Sequence, residues 1–203
     1  MYRSLVANPA PSPAPSPATG PRARTRQAIL EAAVRALADD PSASLGRVAE
    51  LADVGRTTLH RYFPERDALL TAVGAHAAAC LTAAHGRARL DDGTALDALL
   101  RVAQEYLELG DLLTLLFTGT VPEDSWAQDP TNAADLGSLY ARGLRDGSID
   151  PRFDAEWALG VVWSALYLAW STVSTARADR HAVVTRLLLT LEKALAPGGP
   201  DLR

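Results

Sequence analysis

The sequence predicts an all-α protein of about nine helices. Apolar residues recur every three or four positions over most of the chain, which is the spacing of one buried helix face. We find no segment with the strict alternation of apolar and polar residues that a half-buried strand requires. Proline, glycine and aspartate cluster between the periodic segments and mark where helices end. The 203 residues, 48% of them hydrophobic and 22% charged, suffice for one large domain or for one small and one medium domain.

Residues 1–21 are predicted to form a disordered, proline-rich tail. They hold six of the thirteen prolines, in an alternating run of alanine, proline and serine. Because proline lacks an amide N–H and fixes φ, this run favours solvated polyproline II over a helix or a strand. A passive tail and a ligand for a proline-binding domain both fit it. The segment lacks the apolar core of a signal peptide, and the chain has a single cysteine, so we expect a cytoplasmic protein.

Three short helices follow the tail. The first begins near Thr25 and stops before Pro41, because the residue that precedes a proline leaves the α region. Ser44 offers an N-cap to the second helix. The segment Asp53-Val54-Gly55 is predicted to form a tight turn, in which aspartate tolerates the left-handed conformation and glycine caps the next helix. That third helix spans Arg56 to Phe63.

The rest of the chain, residues 67–203, is predicted to form a larger helical body. Its first helix is long and alanine-rich, Thr94 caps the second, and residues 119–131 form a loop. Turn-forming segments such as Asp91-Asp92-Gly93 and Asp146-Gly147 separate the helices. The predicted helices of the body span residues 65–90, 94–109, 112–117, 132–145, 153–175 and 179–195.

Charge is divided unevenly between the two parts. Residues 1–66 carry nine arginines against six acidic residues, a net charge of +3. Residues 67–203 carry eleven basic against eighteen acidic residues, a net charge of −7. Such an asymmetry indicates that the N-terminal part meets an anionic partner. Arginine outnumbers lysine by nineteen to one, a usage typical of GC-rich bacterial genomes.

Two short helices joined by a tight turn and preceded by a third are typical of a helix-turn-helix DNA-binding unit, here residues 22–66. The second helix of such a unit enters the major groove. Leu59 and Phe63 are spaced to pack into the core, and polar residues surround them. Arginine forks onto guanine, a threonine methyl contacts thymine, and hydroxyls bind phosphate. The predicted DNA-contacting residues are Ser44, Arg47, Arg56, Thr57, Thr58, His60, Arg61, Tyr62 and Arg66.

These residues resemble the N-terminal domain of the TetR (tetracycline repressor) family of bacterial transcriptional regulators. Residues 26–33, RQAILEAA, are similar to the family's first helix. Residues 44–70, SLGRVAELADVGRTTLHRYFPERDALL, are similar to its helix-turn-helix almost position for position. The departures leave the site intact but make the operator sequence unpredictable. They are Asp53 (usually glycine), Gly55 (usually serine), His60 (usually tyrosine) and Arg66 (usually lysine).

The resemblance implies a homodimer that binds a palindromic double-stranded DNA operator, acts as a repressor and is released by a small-molecule inducer. The last two helices, residues about 153–195, would form the dimer interface as a four-helix bundle. Pairing doubles the contacts of a recognition helix that reads only a few base pairs. Residues 157–176 carry no charge, which fits such an interface. Their length also allows a membrane span, but small and hydroxylated residues dilute the stretch and no positive cluster flanks it.

Aromatic residues concentrated in the body predict a largely apolar ligand pocket. The same residues are also suited to packing the core and the dimer interface. Glu105 and Asp111 are suited either to a cationic or hydroxylated ligand or to solvent. The candidate pocket residues are Tyr106, Phe117, Trp126, Tyr140, Trp163 and Tyr167.

The residues predict no enzyme, metal site or cofactor. The sequence contains none of the motifs GxSxG, HExxH, GxxxxGK[ST] or GxGxxG. His76 and Cys80 lie four residues apart, which allows a shared helix face, but two ligands are too few for a closed zinc site. Besides a ligand-responsive repressor, two functions stay open: a DNA-binding dimer without a ligand, and a membrane-associated helical protein.

Overall fold

The structure, a computed structural model, describes residues 20–127, 129–176 and 179–198. Over these residues the chain forms nine α-helices, one short 3-10 helix and no strand, which confirms the predicted all-α fold. The predicted tail lies outside the described residues except for its last two positions. The helices are α1 (Pro21–Asp39), α2 (Leu45–Leu51), α3 (Arg56–Tyr62), α4 (Arg66–Ala88), α5 (Ala95–Leu107), α6 (Asp111–Phe117), the 3-10 helix (Glu123–Ser125), α7 (Pro130–Asp146), α8 (Ala155–Ala176) and α9 (Arg180–Leu195).

Helix boundaries follow the capping chemistry of the sequence, with two corrections. Thr94 caps α5 as predicted and forms a capping box with Asp97. α1 begins at Pro21, four residues before its predicted start, because proline is suited to the first helical turn. α7 begins two residues early for the same reason: Pro130 opens it, and the Asp129 carboxylate accepts from two backbone N–H groups of its first turn.

The first three helices pack into a small unit that α1 joins to the rest of the chain. α1 contacts α2 within this unit, and it also contacts α4 and α6. Leu59 of α3 is fully buried and Phe63 nearly so. As predicted, these two residues are the ones by which α3 packs into the core.

α5 is the central helix of the body. Eight of its thirteen residues are buried, and it contacts α4, α7, α8 and α9. α8 and α9 pack against each other. The six helices from α4 to α9 therefore surround one apolar interior, in which Tyr106 is among the largest fully buried side chains.

A close approach at the end of α7 makes Gly143 a sensitive position. Its carbonyl accepts hydrogen bonds from the backbone N–H groups of Ser148 and Ile149. A Cβ atom at Gly143 would lie 2.4 Å from Cδ1 and 3.0 Å from Cβ of Ile149, which is itself buried. The chain turns out of α7 in this compact form only because residue 143 has no side chain.

We expect Gly143→Ala to lower the free energy of unfolding by about 1–3 kcal/mol, the usual cost of overpacking a well-filled site. Gly137→Ala on the same helix is the matched control, since a Cβ there would meet no described atom within 4 Å. It is expected to raise the free energy of unfolding by up to about 1 kcal/mol through helix propensity. Urea unfolding of the two variants checks the pair, and equal stability would contradict the close approach.

Within the described part of the chain, two helices are long and apolar enough to cross a membrane by length and composition, α4 and Ala155–Ser174 of α8. A core helix of a soluble protein also has this length and composition. α4 packs against α1, α5 and α7, whereas α8 leaves much of its apolar surface uncovered. Trp157 and Leu168 are each 63% exposed. An exposed apolar face of this kind is typical of a surface that binds lipid or a second protein surface.

Candidate nucleic-acid interface and ligand cavity

The turn between α2 and α3 has the predicted geometry. Asp53 adopts the left-handed conformation with φ of 53°, and the backbone N–H of Val54 donates to the carbonyl of Ala49 at 3.0 Å. Gly55 is the N-cap of α3 and has extended backbone angles. Ser44 caps α2, since its Oγ accepts from the backbone N–H of Arg47 at 3.2 Å. The turn and cap residues thus set the direction of α3 relative to α2.

α3 separates a buried face from a polar one. At about 100° per residue, Thr57 and Arg61 lie opposite Leu59. The two are exposed, as are Arg56 and His60. Thr58 and Tyr62 are half-buried at the sides of the helix. The predicted contact residues of α3 therefore share one continuous surface, and its centre is formed by Thr57 and Arg61.

Arginine side chains cover the aromatic residues at the end of α3. The guanidinium groups of Arg22 and Arg61 lie 5.8 Å from the centroid of the Tyr62 ring. Arg26 lies 5.5 Å from the centroid of Phe63. Arg22 and Arg26 belong to α1, so a helix holds them beside α3. The result is a basic border along one side of α3, formed by cation–π contacts.

Arg66, one of the predicted DNA-contacting residues, binds within the protein. Its guanidinium donates to the backbone carbonyls of Pro41 and Ala43. These carbonyls lie in the connection between α1 and α2, immediately before the Ser44 cap. The side chain is half-buried and its fork is engaged within the protein. Arg66 therefore fixes the start of α2, and we propose that it positions the DNA-binding helices rather than touching DNA.

The body contains a cavity of about 470 Å³. Four of the six predicted aromatic residues line it, namely Tyr106, Phe117, Trp126 and Trp163. Its walls come from α4, α5, α6, α7, α8 and the 3-10 helix. The lining residues that sequence reasoning missed are Leu81, Glu123, Ala127, Asn132, Ala133, Leu136 and Leu159.

Two predicted pocket residues do not line this cavity. The hydroxyl of Tyr140 donates to the carbonyl of Phe153 at 2.6 Å and joins α7 to the segment before α8. Tyr167 lies on the outer surface of α8 and is 51% exposed. Glu105 is also outside the cavity, since its carboxylate is paired with Arg87 at 2.6 Å, and Asp111 is exposed at the start of α6.

Trp163 is the centre of the aromatic lining. Its ring stacks on Tyr106 with centroids 5.6 Å apart and an interplanar angle of 27°. Phe117 and Trp126 approach it edge-on at 6.0 and 5.9 Å. Of the eleven described lining residues, only Glu123 carries a charge. Flat aromatic faces beside one carboxylate are suited to a planar aromatic ligand with a positive charge.

A polar network that the sequence did not predict lies beside this cavity, with the buried His85 at its centre. His85 is 3% exposed. Its Nδ1 lies 2.8 Å from Oδ2 of Asp135, and its Nε2 lies 2.6 Å from the Tyr106 hydroxyl. Burial, with the nearby Asp135 carboxylate, holds the pKa of Tyr106 well above its ordinary value. The network joins α4, α5 and α7 across as many as 50 positions, so no local sequence signal reveals it.

His76 and Cys80 share a face of α4 as predicted, with Sγ 3.7 Å from Nε2. Burial raises the pKa of the Cys80 thiol and lowers the pKa of His76. Both shifts oppose formation of a reactive thiolate–imidazolium pair. Among the described residues, no group of three or more His, Cys, Asp or Glu side chains is placed to hold a metal ion.

Comparison with known proteins identifies the family to which this architecture belongs. Residues 29–73 match the family described as bacterial regulatory proteins, tetR family. The chain is also 36% identical over 176 residues to the HTH-type transcriptional repressor LfrR of Mycolicibacterium smegmatis, a match that covers 85% of this chain and 90% of LfrR. The chain belongs to the TetR family. It is a helix-turn-helix transcriptional regulator, which confirms the resemblance of residues 26–33 and 44–70.

Solved structures of this family have the same fold as the regulator described here. The structure of LfrR from Mycobacterium smegmatis in complex with proflavine matches with a TM-score of 0.64 at 36% identity, over 87% of this chain and 99% of that one. A TetR family regulator from Marinobacter aquaeolei matches with a TM-score of 0.68 at 20% identity, over 85% and 95% of the two chains. The second likeness concerns the fold alone. The relatives are regulators, in agreement with the expectation that this chain is not an enzyme.

Proposed function

We propose that this TetR-family regulator is a repressor that binds a palindromic operator as a homodimer and releases it when a planar aromatic cation enters the cavity. One observation carries the ligand class: four aromatic residues and the acidic Glu123 line one cavity in the body. LfrR, a repressor, forms a complex with proflavine, and proflavine is a planar aromatic cation. The sequence predicts a largely apolar ligand, and the ligand proposed here adds a positive charge to a flat apolar ring system.

The proposed dimer forms through the outer face of α8 and the neighbouring surface of α9. Trp157, Leu168 and Leu189 are large apolar residues exposed on these helices. A two-fold pairing would cover them and place two recognition helices about 34–36 Å apart, one turn of DNA. The protein would then act in the bacterial cytoplasm, bound to the nucleoid when it occupies its operator.

α4 is the physical link between the cavity and the DNA-binding helices. Its first residue, Arg66, holds the connection between α1 and α2, and Leu81, four turns further on, lines the cavity. A ligand that shifts α4 therefore changes the placement of α3. A near-complete switch requires a difference of about 5.5 kcal/mol in ligand affinity between the two states. The coupling is reciprocal, so bound DNA lowers the affinity for the ligand by the same free energy by which the ligand lowers the affinity for DNA.

Selection of bound fragments from a random duplex library, at fixed and moderate salt, is the first test of the DNA reading. We expect a palindromic consensus whose half-sites are one helical turn apart. Salt-sensitive retention without a consensus would contradict sequence-specific recognition. Recovery of the full-length protein in the membrane fraction would instead favour lipid as the cover of α8.

Proflavine is expected to displace the selected operator in a concentration-dependent manner, and Trp126→Ala is expected to weaken this response about tenfold, or about 1.4 kcal/mol. The substitution removes one stacking wall of the cavity and leaves α3 untouched, so operator affinity without proflavine should be unchanged. Fluorescence anisotropy of labelled operator measures both quantities. If operator binding by the parent protein does not respond to proflavine, the proposed ligand class is wrong, and the alternative of a DNA-binding dimer without a ligand is favoured.

A further inference from the structure

A chain of three polar side chains ends at the cavity surface. Asp135 of α7 contacts Nδ1 of His85, and Nε2 of His85 contacts the hydroxyl of Tyr106. Tyr106 lines the cavity, whereas His85 and Asp135 lie behind it. The Tyr106 ring contacts two other rings: it stacks on Trp163 at 5.6 Å, and the His85 imidazole lies 5.8 Å away between centroids. The direction of the hydrogen bonds therefore decides what Tyr106 offers to a ligand.

The Asp135 carboxylate determines which atoms donate and which accept in these two hydrogen bonds. A carboxylate only accepts, so Nδ1 of His85 donates to it. In the neutral imidazole, Nε2 is then the acceptor, and the Tyr106 hydroxyl must donate. A tyrosine has one hydroxyl proton, and Tyr106 uses it in the hydrogen bond to Nε2 of His85. The lone pairs of Oη remain available as acceptors for an incoming N–H group.

We propose that Asp135 and His85 are positioning residues that hold the Tyr106 oxygen as an acceptor, so that the cavity selects cations bearing an N–H donor. This inference rests on the proposed function and names the ligand group that Tyr106 recognises. A quaternary cation of the same shape would satisfy the aromatic walls and Glu123 but would leave Tyr106 without its donor. Discrimination follows because an unmade hydrogen bond in a buried site is costly.

The other polar groups of the cavity have the same bias toward accepting. Glu123, an exposed residue at the cavity lining, has a carboxylate that can only accept hydrogen bonds. The Asn132 side chain is engaged with α4: its Nδ2 donates to the Ala78 carbonyl at 3.2 Å, and its Oδ1 accepts from Thr82 at 3.0 Å. The described polar lining thus has two acceptors for an incoming N–H group, one charged and one neutral.

The test compares two tricyclic cations on the full-length protein. Proflavine carries N–H donors, and 10-methyl acridine orange is the same acridinium with every N–H replaced by N–CH₃. Their dissociation constants are measured by fluorescence titration for the parent, Tyr106→Phe, Asp135→Asn and the double variant. Tyr106→Phe is expected to weaken proflavine about tenfold, as for a hydrogen bond to a charged group. The methylated cation is expected to change less than twofold.

Asp135→Asn separates positioning from simple charge attraction. Without the carboxylate, His85 is free to carry its proton on Nε2 and donate to Tyr106, whose own proton then turns toward the cavity. Proflavine should weaken about as much as in Tyr106→Phe, and Asp135→Asn should add nothing in the Tyr106→Phe background. An equal loss for both cations would make Asp135 a plain counter-charge and overturn the proposal.

The imidazole tautomer provides a readout that requires no ligand. Long-range ¹H–¹⁵N spectra of the free protein are expected to show His85 as the Nδ1–H tautomer, assigned by its absence in His85→Asn. An Nε2–H tautomer or an imidazolium would overturn the proposal. If neither cation binds the parent, the ligand class in the proposed function is wrong and this inference falls with it. If both bind without dependence on Tyr106, only this inference is overturned.

Discussion

Replacement of Leu168 by glutamate is expected to convert the proposed dimer into monomers and to reduce operator affinity by about 10²–10⁴-fold. Leu168 is 63% exposed on α8, and a two-fold interface would bury it twice. Burial of a carboxylate in an apolar interface costs several kcal/mol for each copy. A monomer binds one half-site and loses the effective concentration that links the two recognition helices. Light scattering after gel filtration measures the mass, and operator anisotropy measures the affinity.

Leu144→Glu is the matched control for this prediction. Leu144 is also a large exposed apolar residue, 40% exposed, but it lies on α7 rather than on α8 or α9. The same change of size and charge there should leave both the mass and the operator affinity as in the parent. A Leu168→Glu protein that remains dimeric and binds its operator normally would show that the dimer forms through another surface.

The shape of α8 gives this face its expected role. An open groove of about 670 Å³ runs along the helix between Trp157 and Leu168, and small residues, Gly160 and Ser164, line it. Large side chains beside small ones provide the ridges and grooves by which helices interlock. A partner helix would fill the groove and cover the two large residues at once. The groove is therefore better explained as half of an interface than as the ligand site.

The DNA-binding unit was predictable because its determinants are local. Caps, turn residues and the spacing of Leu59 and Phe63 act within a few positions of each other, so the turn at Asp53 and the faces of α3 follow from the sequence. Arg66 is the exception. Its partners lie 23 and 25 positions earlier, and its charge alone does not predict that it donates to backbone carbonyls.

The cavity was predictable only in its aromatic character. Tyr106, Phe117, Trp126 and Trp163 meet because four elements converge, while Tyr140 and Tyr167 have the same chemistry but point to other surfaces. Composition does not distinguish these cases, since the direction of a side chain depends on how each helix is rotated in the bundle. The sequence did not predict the His85 network for a related reason. Its three residues lie on α4, α5 and α7, which meet only in the folded protein.

Arg61→Ala is expected to weaken operator binding by about 1–3 kcal/mol and to relax the consensus at one position of each half-site. Arg61 lies on the side of α3 opposite the buried Leu59, and its contact with the Tyr62 ring orients the guanidinium before DNA arrives. Arginine in this position is suited to a bidentate contact with guanine. Selection from the random library, repeated with the variant, identifies the relaxed base pair, and anisotropy measures the lost affinity.

Salt dependence separates base reading from phosphate attraction at Arg61. Loss of a base contact lowers affinity for the selected operator and spares unrelated DNA, whereas loss of a phosphate contact weakens all DNA and reduces the salt slope by about one per site. Arg145→Ala makes the same charge change at the exposed end of α7, far along the chain from α3, and should alter neither quantity. An Arg61→Ala protein with the parent's consensus and affinity would leave Thr57 as the central reader on this face, since it shares the side of α3 opposite Leu59.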